Sequence, residues 1–283
     1  MLLQIAIGDA YGAGFEFAPR NKIVRCNDGR TYVGHELGIP AGHYTDDTQM
    51  SIAVAEVLLR HDDPDSAVFA DAFVAAYRRD PRPGYSSAFG KLLDEVADGS
   101  ELQRRIRNDS RRNGAAMRSV PLGLIADVEH MKRVARLQAA VTHDTPEGRL
   151  SSETVALMSH ALLYRLAPID ELPAWVRGHT SFALRGDWHG QVAVDAIQTL
   201  HALNTAFIRN RSMTALLKDC VDFGGDTDSV AAIALGLASL SDEYTDDLPA
   251  SLHTGLEDGL HGHRFLQTLD AGLAGRWPLR RPV

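Results

Sequence analysis

The chain has few cysteines and no long apolar run, and each shortage excludes a class of protein. Its 283 residues include only Cys26 and Cys220, without a CxxC pair, so we expect buried thiols rather than a disulfide scaffold or a zinc ribbon. No run of 18 apolar residues predicts a membrane span, and the first residues lack the basic region and cleavage site of a signal peptide. These features predict a cytoplasmic protein.

Basic charge is also in short supply. With 29 Lys and Arg against 37 Asp and Glu, the net charge of −8 argues against a general binder of nucleic acid or of anionic membranes. The sequence contains no Gly-x-Ser-x-Gly elbow, no Walker loop and no plausible Cys-His pair, so covalent hydrolase and P-loop enzymes lack support. The composition, 45% apolar and 23% charged, fits a folded chain with a substantial core.

Helical periodicity is present along almost the whole sequence. Met50, Ala53, Val54, Val57 and Leu58 recur at the spacing of a core-facing helix. Similar patterns predict helices over residues 66–79, 151–166, 192–208 and 229–240. Strict alternation is short, and neither a repeat nor a low-complexity linker interrupts the chain. We therefore predict an all-α fold, a single compact multi-helix domain over residues 1–283.

The ends of two segments carry more specific signals. Asp63-Pro64-Asp65 is expected to supply the N-cap, a proline at the first helical position and an acidic first turn for the helix over 66–79. The segment from Arg276 to Pro282 is too proline-rich to continue a helix.

Two acidic clusters, Thr45-Asp46-Asp47-Thr48 and residues 224–229 (Gly-Gly-Asp-Thr-Asp-Ser), each precede an apolar helical stretch. One carboxylate at a helix start is ordinary and contributes about 0.3–1 kcal/mol. Two such clusters exceed what capping needs. Carboxylate and hydroxyl oxygens are the hard ligands that Mg²⁺, Mn²⁺ or Ca²⁺ prefer, and four carboxylates with two hydroxyls would suffice for two ions. We predict that the clusters are the two halves of one metal site.

The spacing within each cluster predicts how its side chains point. Asp46 and Asp47 are consecutive, so in a first helical turn they diverge by about 100° and can face different ions. Asp226 and Asp228 are two residues apart, so in an extended approach to a helix both can aim at one point, with Ser229 following. The preceding glycines leave room for close backbone approach.

Three further segments are candidates for ligand contacts. The glycine-rich segment from Gly8 to Glu16 can bring backbone and a carboxylate near a ligand, although such glycines are equally typical of tight helix packing. Residues 110–118 place a Ser/Asn/Gly loop before an apolar helix, which suits a phosphate, among six arginines in fifteen residues that are more typical of a solvated face. Thr142-His143-Asp144 adds an imidazole before another helix start.

Taken in order, these pieces resemble the ADP-ribosylglycohydrolase family, which includes dinitrogenase-reductase-activating glycohydrolase and the ADP-ribosyl-acceptor hydrolases. The matching pieces lie at residues 8–16, 45–48, 113–118, 142–143 and 225–232. The resemblance implies an all-α fold with a centre of two Mg²⁺ or Mn²⁺ ions. It also implies hydrolysis of the bond between the anomeric carbon of ADP-ribose and an acceptor such as a protein side chain, with ADP-ribose as the product.

The resemblance also implies roles for individual residues. The metal ligands would be Thr45, Asp46, Asp47, Asp226, Asp228 and Ser229. Glu16 matches a glutamate near the scissile bond, and either it or a metal-site aspartate, Asp47 or Asp228, would act as the base or acid. The substrate would be bound by Ser110, Asn113, Gly114, His143, Gly84 and Tyr85. Apart from the resemblance, Arg111 and Arg112 stand beside the Ser/Asn/Gly loop, and as bidentate donors they are expected to contact the pyrophosphate.

Two departures from the family pattern bear on specificity. Arg111-Arg112 stands where an aromatic or small residue and a glycine are common, which changes the expected adenosine contact. Arg82 stands where some arginine-specific members have an acid, so acceptor specificity does not carry over. Two other functions remain open at this point: a binuclear-metal phosphohydrolase, and a non-catalytic ADP-ribose-binding protein of the same fold.

Overall fold

The computed structural model describes residues 1–36 and 38–277, which form helices joined by turns and loops. The α-helices are α1 Leu2–Ala13, α2 Arg20–Cys26, α3 Asp46–Arg60, α4 Ser66–Arg79, α5 Ser87–Glu95, α6 Gly99–Arg105, α7 Gly114–Met117, α8 Val128–Ala140, α9 Pro146–Leu163, α10 Leu172–Thr180, α11 Ala196–Arg209, α12 Met213–Phe223, α13 Thr227–Ala238, α14 Ala250–Gly255 and α15 His263–Arg276. Two short 3₁₀ helices span Val120–Leu124 and Ile169–Glu171. Among these described residues, β pairing is limited to three isolated bridges, and the elements are helices. The predicted all-α class is therefore confirmed.

Helix boundaries follow the caps more closely than the apolar patterns. In α4, Asp65 itself is the N-cap and accepts from Val68 N, so Pro64 precedes the helix. The expected proline at the first helical position and the expected acidic first turn were therefore both wrong. Helix α9 starts at Pro146, because Thr145 caps it through Gly148 N. Helix α11 starts at Ala196 rather than near 192, because the Asp195 carboxylate accepts from the first free N–H groups. Helix α15 ends at Arg276, one residue into the segment predicted not to be helical, and residues 278–282 of that segment lie outside the described part.

One apolar core connects the helices from α1 to α15. Its tightest contact is between α1 and α13, where a Cβ on Gly8 would lie 2.3 Å from Ala231 O and one on Gly12 2.5 Å from Asp228 Cα. Thr227 Oγ1 also donates to Gly12 O at 2.8 Å. The glycines of the first segment therefore allow helix packing, and this packing carries the α13 start toward Glu16.

The predictions of buried cysteines and of no membrane-spanning helix can be compared with the structure. Cys220 is buried as expected, whereas Cys26 is only half-buried, and both are free thiols. No helix within residues 1–36 and 38–277 combines the length and apolarity that crossing a membrane requires.

Candidate metal and ligand site

The first acidic cluster is organised by a buried carboxylate from another helix. Asp9, in α1, accepts from Thr45 N at 3.0 Å, from Thr45 Oγ1 at 2.8 Å, from Thr48 N at 2.9 Å and from Thr48 Oγ1 at 2.5 Å. The Thr45 side chain makes no capping bond to its own helix, and Asp9 accepts from the helix start in its place. Burial raises the pKa of Asp9 while these four donors oppose the rise. Asp46 and Asp47 consequently begin α3 with their carboxylates free to face away from Asp9.

We expect Asp9→Ala to lower the free energy of unfolding by about 2–4 kcal/mol, because it leaves two N–H groups and two hydroxyls buried without an acceptor. The matched control is Asp65→Ala, which removes an exposed N-cap from α4 and should cost only about 1 kcal/mol. Urea unfolding followed by circular dichroism measures both. Equal losses in the two variants would contradict the role given to Asp9.

The second acidic cluster is held by a glycine turn that ties three segments together. Gly224 and Gly225 have φ of 73° and 82°, and a Cβ on Gly225 would lie 2.0 Å from Val192 O, so both positions suit glycine. The turn bonds to Val192 through Val192 N–Gly224 O and Asp226 N–Val192 O, at 3.0 and 2.9 Å. Gly225 O also accepts from Phe17 N at 2.8 Å, which brings the neighbouring Glu16 beside Asp226.

Three carboxylates converge at this turn. Oxygen atoms of Glu16, Asp226 and Asp228 all lie within 4.8 Å of one another. Burial, followed by the charges of Asp228 and Asp9, raises the pKa of Glu16 to about 8. Burial and the Asp226 carboxylate likewise raise the pKa of Asp228 well above its ordinary value. Like charges this close favour protons or a cation among them.

Asp46 and Asp47 add two carboxylates to the same region. Burial and the charge of Asp228 raise the pKa of both well above the usual range, so the α3 and α13 starts face each other. A Cβ on Gly84 would lie 1.9 Å from Asp46 Oδ1, so the loop before α5 packs against that carboxylate only because residue 84 is glycine. Asp47 Oδ1 is buried and has no hydrogen-bond partner in the described part of the chain.

These acids fit a site for hard divalent cations. A buried carboxylate oxygen without a donor is costly unless a cation satisfies it, and several carboxylates with raised pKa values repel each other without one. Carboxylate and hydroxyl oxygens are the ligands of Mg²⁺ and Mn²⁺. The arrangement supports the metal prediction made from the sequence, while the number and identity of ions stay a prediction.

A cavity of about 460 Å³ opens from the acidic cluster, a volume ordinary for a small-molecule site. With one exception, the residues predicted for metal, substrate or catalysis line it: Glu16, Asp46, Asp47, Gly84, Tyr85, Ser110, Arg112, Asn113, Gly114, His143, Asp226, Asp228 and Ser229. The exception is Thr45, whose hydroxyl donates its proton to Asp9 behind the cavity wall.

The far side of the cavity is assembled from two segments that pair. Asp109 and His143 form an antiparallel bridge, which places Ser110 beside His143. Asn113 Nδ2 donates to Asp226 Oδ2 at 2.6 Å and so links this side to the acidic cluster. Helix α7, which follows, is the apolar helix expected after the Ser/Asn/Gly loop, but it has only four residues and leads into a 3₁₀ helix.

The arginines separate into different environments. Arg112 lines the cavity, but the exposed Arg111 pairs with Glu147 at 2.5 Å outside it. Arg111 is therefore turned toward Glu147, and of these two arginines only Arg112 lines the cavity. Arg82 stacks on Tyr44 with its Cζ 4.0 Å from the ring centroid and pairs with Asp80 at 2.7 Å and with Glu257. Its guanidinium is thus engaged away from the cavity.

Four residues of the site had no assigned role in the sequence analysis: Asp9, His35, Arg118 and Thr142. His35 Nε2 lies 3.3 Å from Glu16 Oε2, and Arg118 and Thr142 bond to each other beside His143. Asp9 could have been predicted as a buried carboxylate, because it lies within the apolar stretch that begins the chain. The contact of His35 with Glu16 depends on a loop crossing that no local pattern encodes.

A model of the ADP-ribosylglycohydrolase family matches residues 1–282. The chain belongs to this family. Among its relatives is an ADP-ribosyl-[dinitrogen reductase] glycohydrolase of Rhodospirillum rubrum, 26% identical over 258 residues that cover 88% of this chain and 86% of the relative. The family resemblance inferred from the five ordered motifs is thereby confirmed.

Other family members and a solved structure agree. The ADP-ribosylarginine hydrolase Tri1 of Pseudomonas putida is 25% identical over 89% of this chain and 74% of its own. The ADP-ribosylhydrolase ARH3 of Gallus gallus is 34% identical, but the match covers 56% of this chain and only 47% of ARH3. A solved structure described as an ADP-ribosylglycohydrolase-related protein complex superposes with a TM-score of 0.74 at 26% identity, covering 98% of this chain and 95% of that one.

Proposed function

We propose that this chain is a hydrolase that cleaves the glycosidic bond between ADP-ribose and an acceptor, and so reverses ADP-ribosylation. One observation carries the proposal: five carboxylates line the same cavity as Gly114 and His143, and Asn113 connects the two groups through its bond to Asp226. Membership of the ADP-ribosylglycohydrolase family supports the same chemistry, as do relatives named for removing ADP-ribose from arginine or from dinitrogen reductase.

Two divalent cations, Mg²⁺ or Mn²⁺, are part of the proposal. The residues that would hold them are Thr45, Asp46, Asp47, Asp226, Asp228 and Ser229. When bound, such ions orient ribose hydroxyls and lower the pKa of a bound water. Thr45 can take part because its proton goes to Asp9, which leaves a lone pair on Oγ1 for another partner.

Glu16 is the residue we propose to move a proton in the reaction. Glycosidic cleavage passes through an oxocarbenium-like ribose and needs a base for water or an acid for the leaving group. Glu16 lines the cavity beside Asp226 and Asp228, where its carboxyl can take up or release a proton, which suits either task. Asp47, with a free buried oxygen, and Asp228 are the alternative bases.

The remaining cavity residues would bind and orient the substrate. Ser110, Asn113, Gly114, His143 and Arg112 line the same cavity as the acids. Ser110, His143 and Arg112 carry side-chain donors for a pyrophosphate, whereas the Asn113 amide already donates to Asp226 and Thr199. Gly84 and Tyr85 lie over the α3 start, and the Tyr85 hydroxyl is fixed by donation to Gln49 Oε1 at 2.8 Å. Tyr85 would cover the ribose.

The acceptor is best identified with a panel of arginine-, serine- and nucleobase-linked ADP-ribose, read by mass spectrometry. We expect free ADP-ribose from at least one member in the presence of Mg²⁺ or Mn²⁺. Binding of ADP-ribose without cleavage of any member would instead identify a non-catalytic binding protein.

Arg112→Ala should weaken binding of free ADP-ribose by about 1–3 kcal/mol, the scale of hydrogen bonds to a charged group, because its guanidinium lines the cavity and can pair with a phosphate. Arg104→Ala is the matched control, since Arg104 bonds to Ser100 on the outer face of α6. Calorimetry at several salt concentrations measures both. Equal affinities for the wild type and both variants would place Arg112 outside the ligand contacts.

A further inference from the structure

Arg118 is a buried cation without a close ion pair in the described residues, and the charge of Asp46 acts on it only from a longer distance. It is 1% exposed, and in the part of the chain that the structure describes no carboxylate lies within 4 Å of its guanidinium. Its Nε donates to Gln138 Oε1 at 2.5 Å, and its Cζ lies 4.4 Å from the centroid of Phe73. Gln138 is fixed in turn, because its Nε2 donates to Ala115 O and to two serine hydroxyls. Arg118 is therefore held rigidly beside the cavity it lines.

Thr142 accepts from Nη2 of Arg118, which also donates to Gln138 O. Arg118 Nη2 lies 2.7 Å from Thr142 Oγ1, and His143 Nδ1 lies 2.6 Å from the same oxygen. A guanidinium only donates, so it occupies a lone pair of the threonine oxygen. The hydroxyl proton then has one protein acceptor within reach among the described residues, His143 Nδ1. The threonine therefore donates to Nδ1.

When Nδ1 of His143 accepts a hydrogen bond, the proton of the ring must be on the other nitrogen. Neutral imidazole carries one N–H, so the proton is on Nε2 when Nδ1 accepts. Burial, followed by the charges of Arg118 and Arg112, lowers the pKa of His143 to about 3, in keeping with a neutral ring. The edge that bears Nε2 faces Gly114, where an added Cβ would come within 3.0 Å of that nitrogen.

We infer that Arg118 and Thr142 are positioning residues that hold His143 as the Nε2–H tautomer, so that it serves as an uncharged, pre-oriented donor to an anionic oxygen of the ligand. The inference rests on the proposed function only for the nature of that ligand, a phosphate oxygen of ADP-ribose. The Arg118–Thr142–His143 chain itself is a property of the ligand-free protein.

The tautomer is measured directly by long-range ¹H–¹⁵N NMR on ligand-free protein labelled with ¹⁵N-histidine, with the signal assigned through His143→Gln. We expect wild type and Thr142→Ser to carry the proton on Nε2, and Thr142→Val to show a mixture of tautomers or a shifted Nδ1 signal. Wild type with the proton on Nδ1, or a Thr142→Val signal identical to wild type, would overturn the inference.

Binding of free ADP-ribose provides the second readout. We expect Thr142→Val to weaken binding about tenfold or more, the scale of a charged hydrogen bond, with Thr142→Ser restoring it. Thr154→Val is the matched control, because Thr154 is an equally buried threonine whose Oγ1 has no partner among the described residues. Equal affinity in all variants would overturn the donor role. If the wild type itself fails to bind ADP-ribose, the proposed function is wrong, and the NMR signal still decides the tautomer.

Discussion

Replacing Asp228 with asparagine is expected to abolish the rise in melting temperature that Mg²⁺ or Mn²⁺ produces, and to lower turnover by more than about 10²–10³-fold, the loss typical when one charge-stabilising group is removed from an active site. Asp228 shares the carboxylate cluster with Glu16 and Asp226, and, after burial, its charge raises the pKa of Asp46 and of Asp47. Asparagine keeps the size of the side chain but supplies only one neutral oxygen. Thermal unfolding with added metal and with EDTA measures the shift.

The control for this variant is Asp187→Asn, an exposed loop aspartate outside the cavity. It should retain both the metal-induced shift and the turnover. Without metal, Asp228→Asn should melt at or above the wild-type temperature, because one repelling carboxylate is removed. A metal-induced shift that survives Asp228→Asn would show that the ions bind elsewhere.

The second large effect is expected from Glu16→Gln, which should lower turnover by about 10²–10⁴-fold, the range of general acid–base catalysis, with little change in metal affinity. Glutamine keeps the shape and hydrogen-bonding capacity of Glu16 but cannot take up or release a proton. Steady-state kinetics on the best substrate, together with metal titration by calorimetry, separates the two quantities.

Glu95→Gln is the control at the same cavity, since Glu95 is an exposed rim residue paired with Arg105. It should leave turnover unchanged. An unaltered rate in Glu16→Gln would remove Glu16 from the mechanism and leave Asp47 or Asp228 as the base. A lost metal response in that variant would make Glu16 a metal ligand instead.

The sequence was most informative where a residue acts through its own local geometry. Asp226 and Asp228 were predicted to aim at one point from their spacing of two, and their oxygens do converge. The physical reason differs in detail, because α13 already begins at Thr227 and the convergence depends on the positive φ of Gly224 and Gly225. The all-α class followed similarly from periodicity, which depends only on neighbours along one helix.

Residues that act across the fold could not be read in the same way. Asp9 caps α3 from α1, and Gly8 and Gly12 serve helix packing, because both features depend on which helices cross. The arginines near residue 110 look alike in the sequence but lie in different environments. Arg118 is buried, Arg112 lines the cavity, and Arg111 pairs with Glu147 outside it. Charge patterning predicted a solvated face and missed the buried cation, since only tertiary packing decides which guanidinium is enclosed.

The most direct test of the account is the mass spectrum of the products formed from an ADP-ribosylated acceptor with Mg²⁺ or Mn²⁺ present. We predict free ADP-ribose together with the unmodified acceptor, and neither product when EDTA is added. Inorganic phosphate, or AMP with the ribose phosphate still on the acceptor, would instead show that the same acidic site breaks a phosphate bond, and would contradict glycosidic hydrolysis.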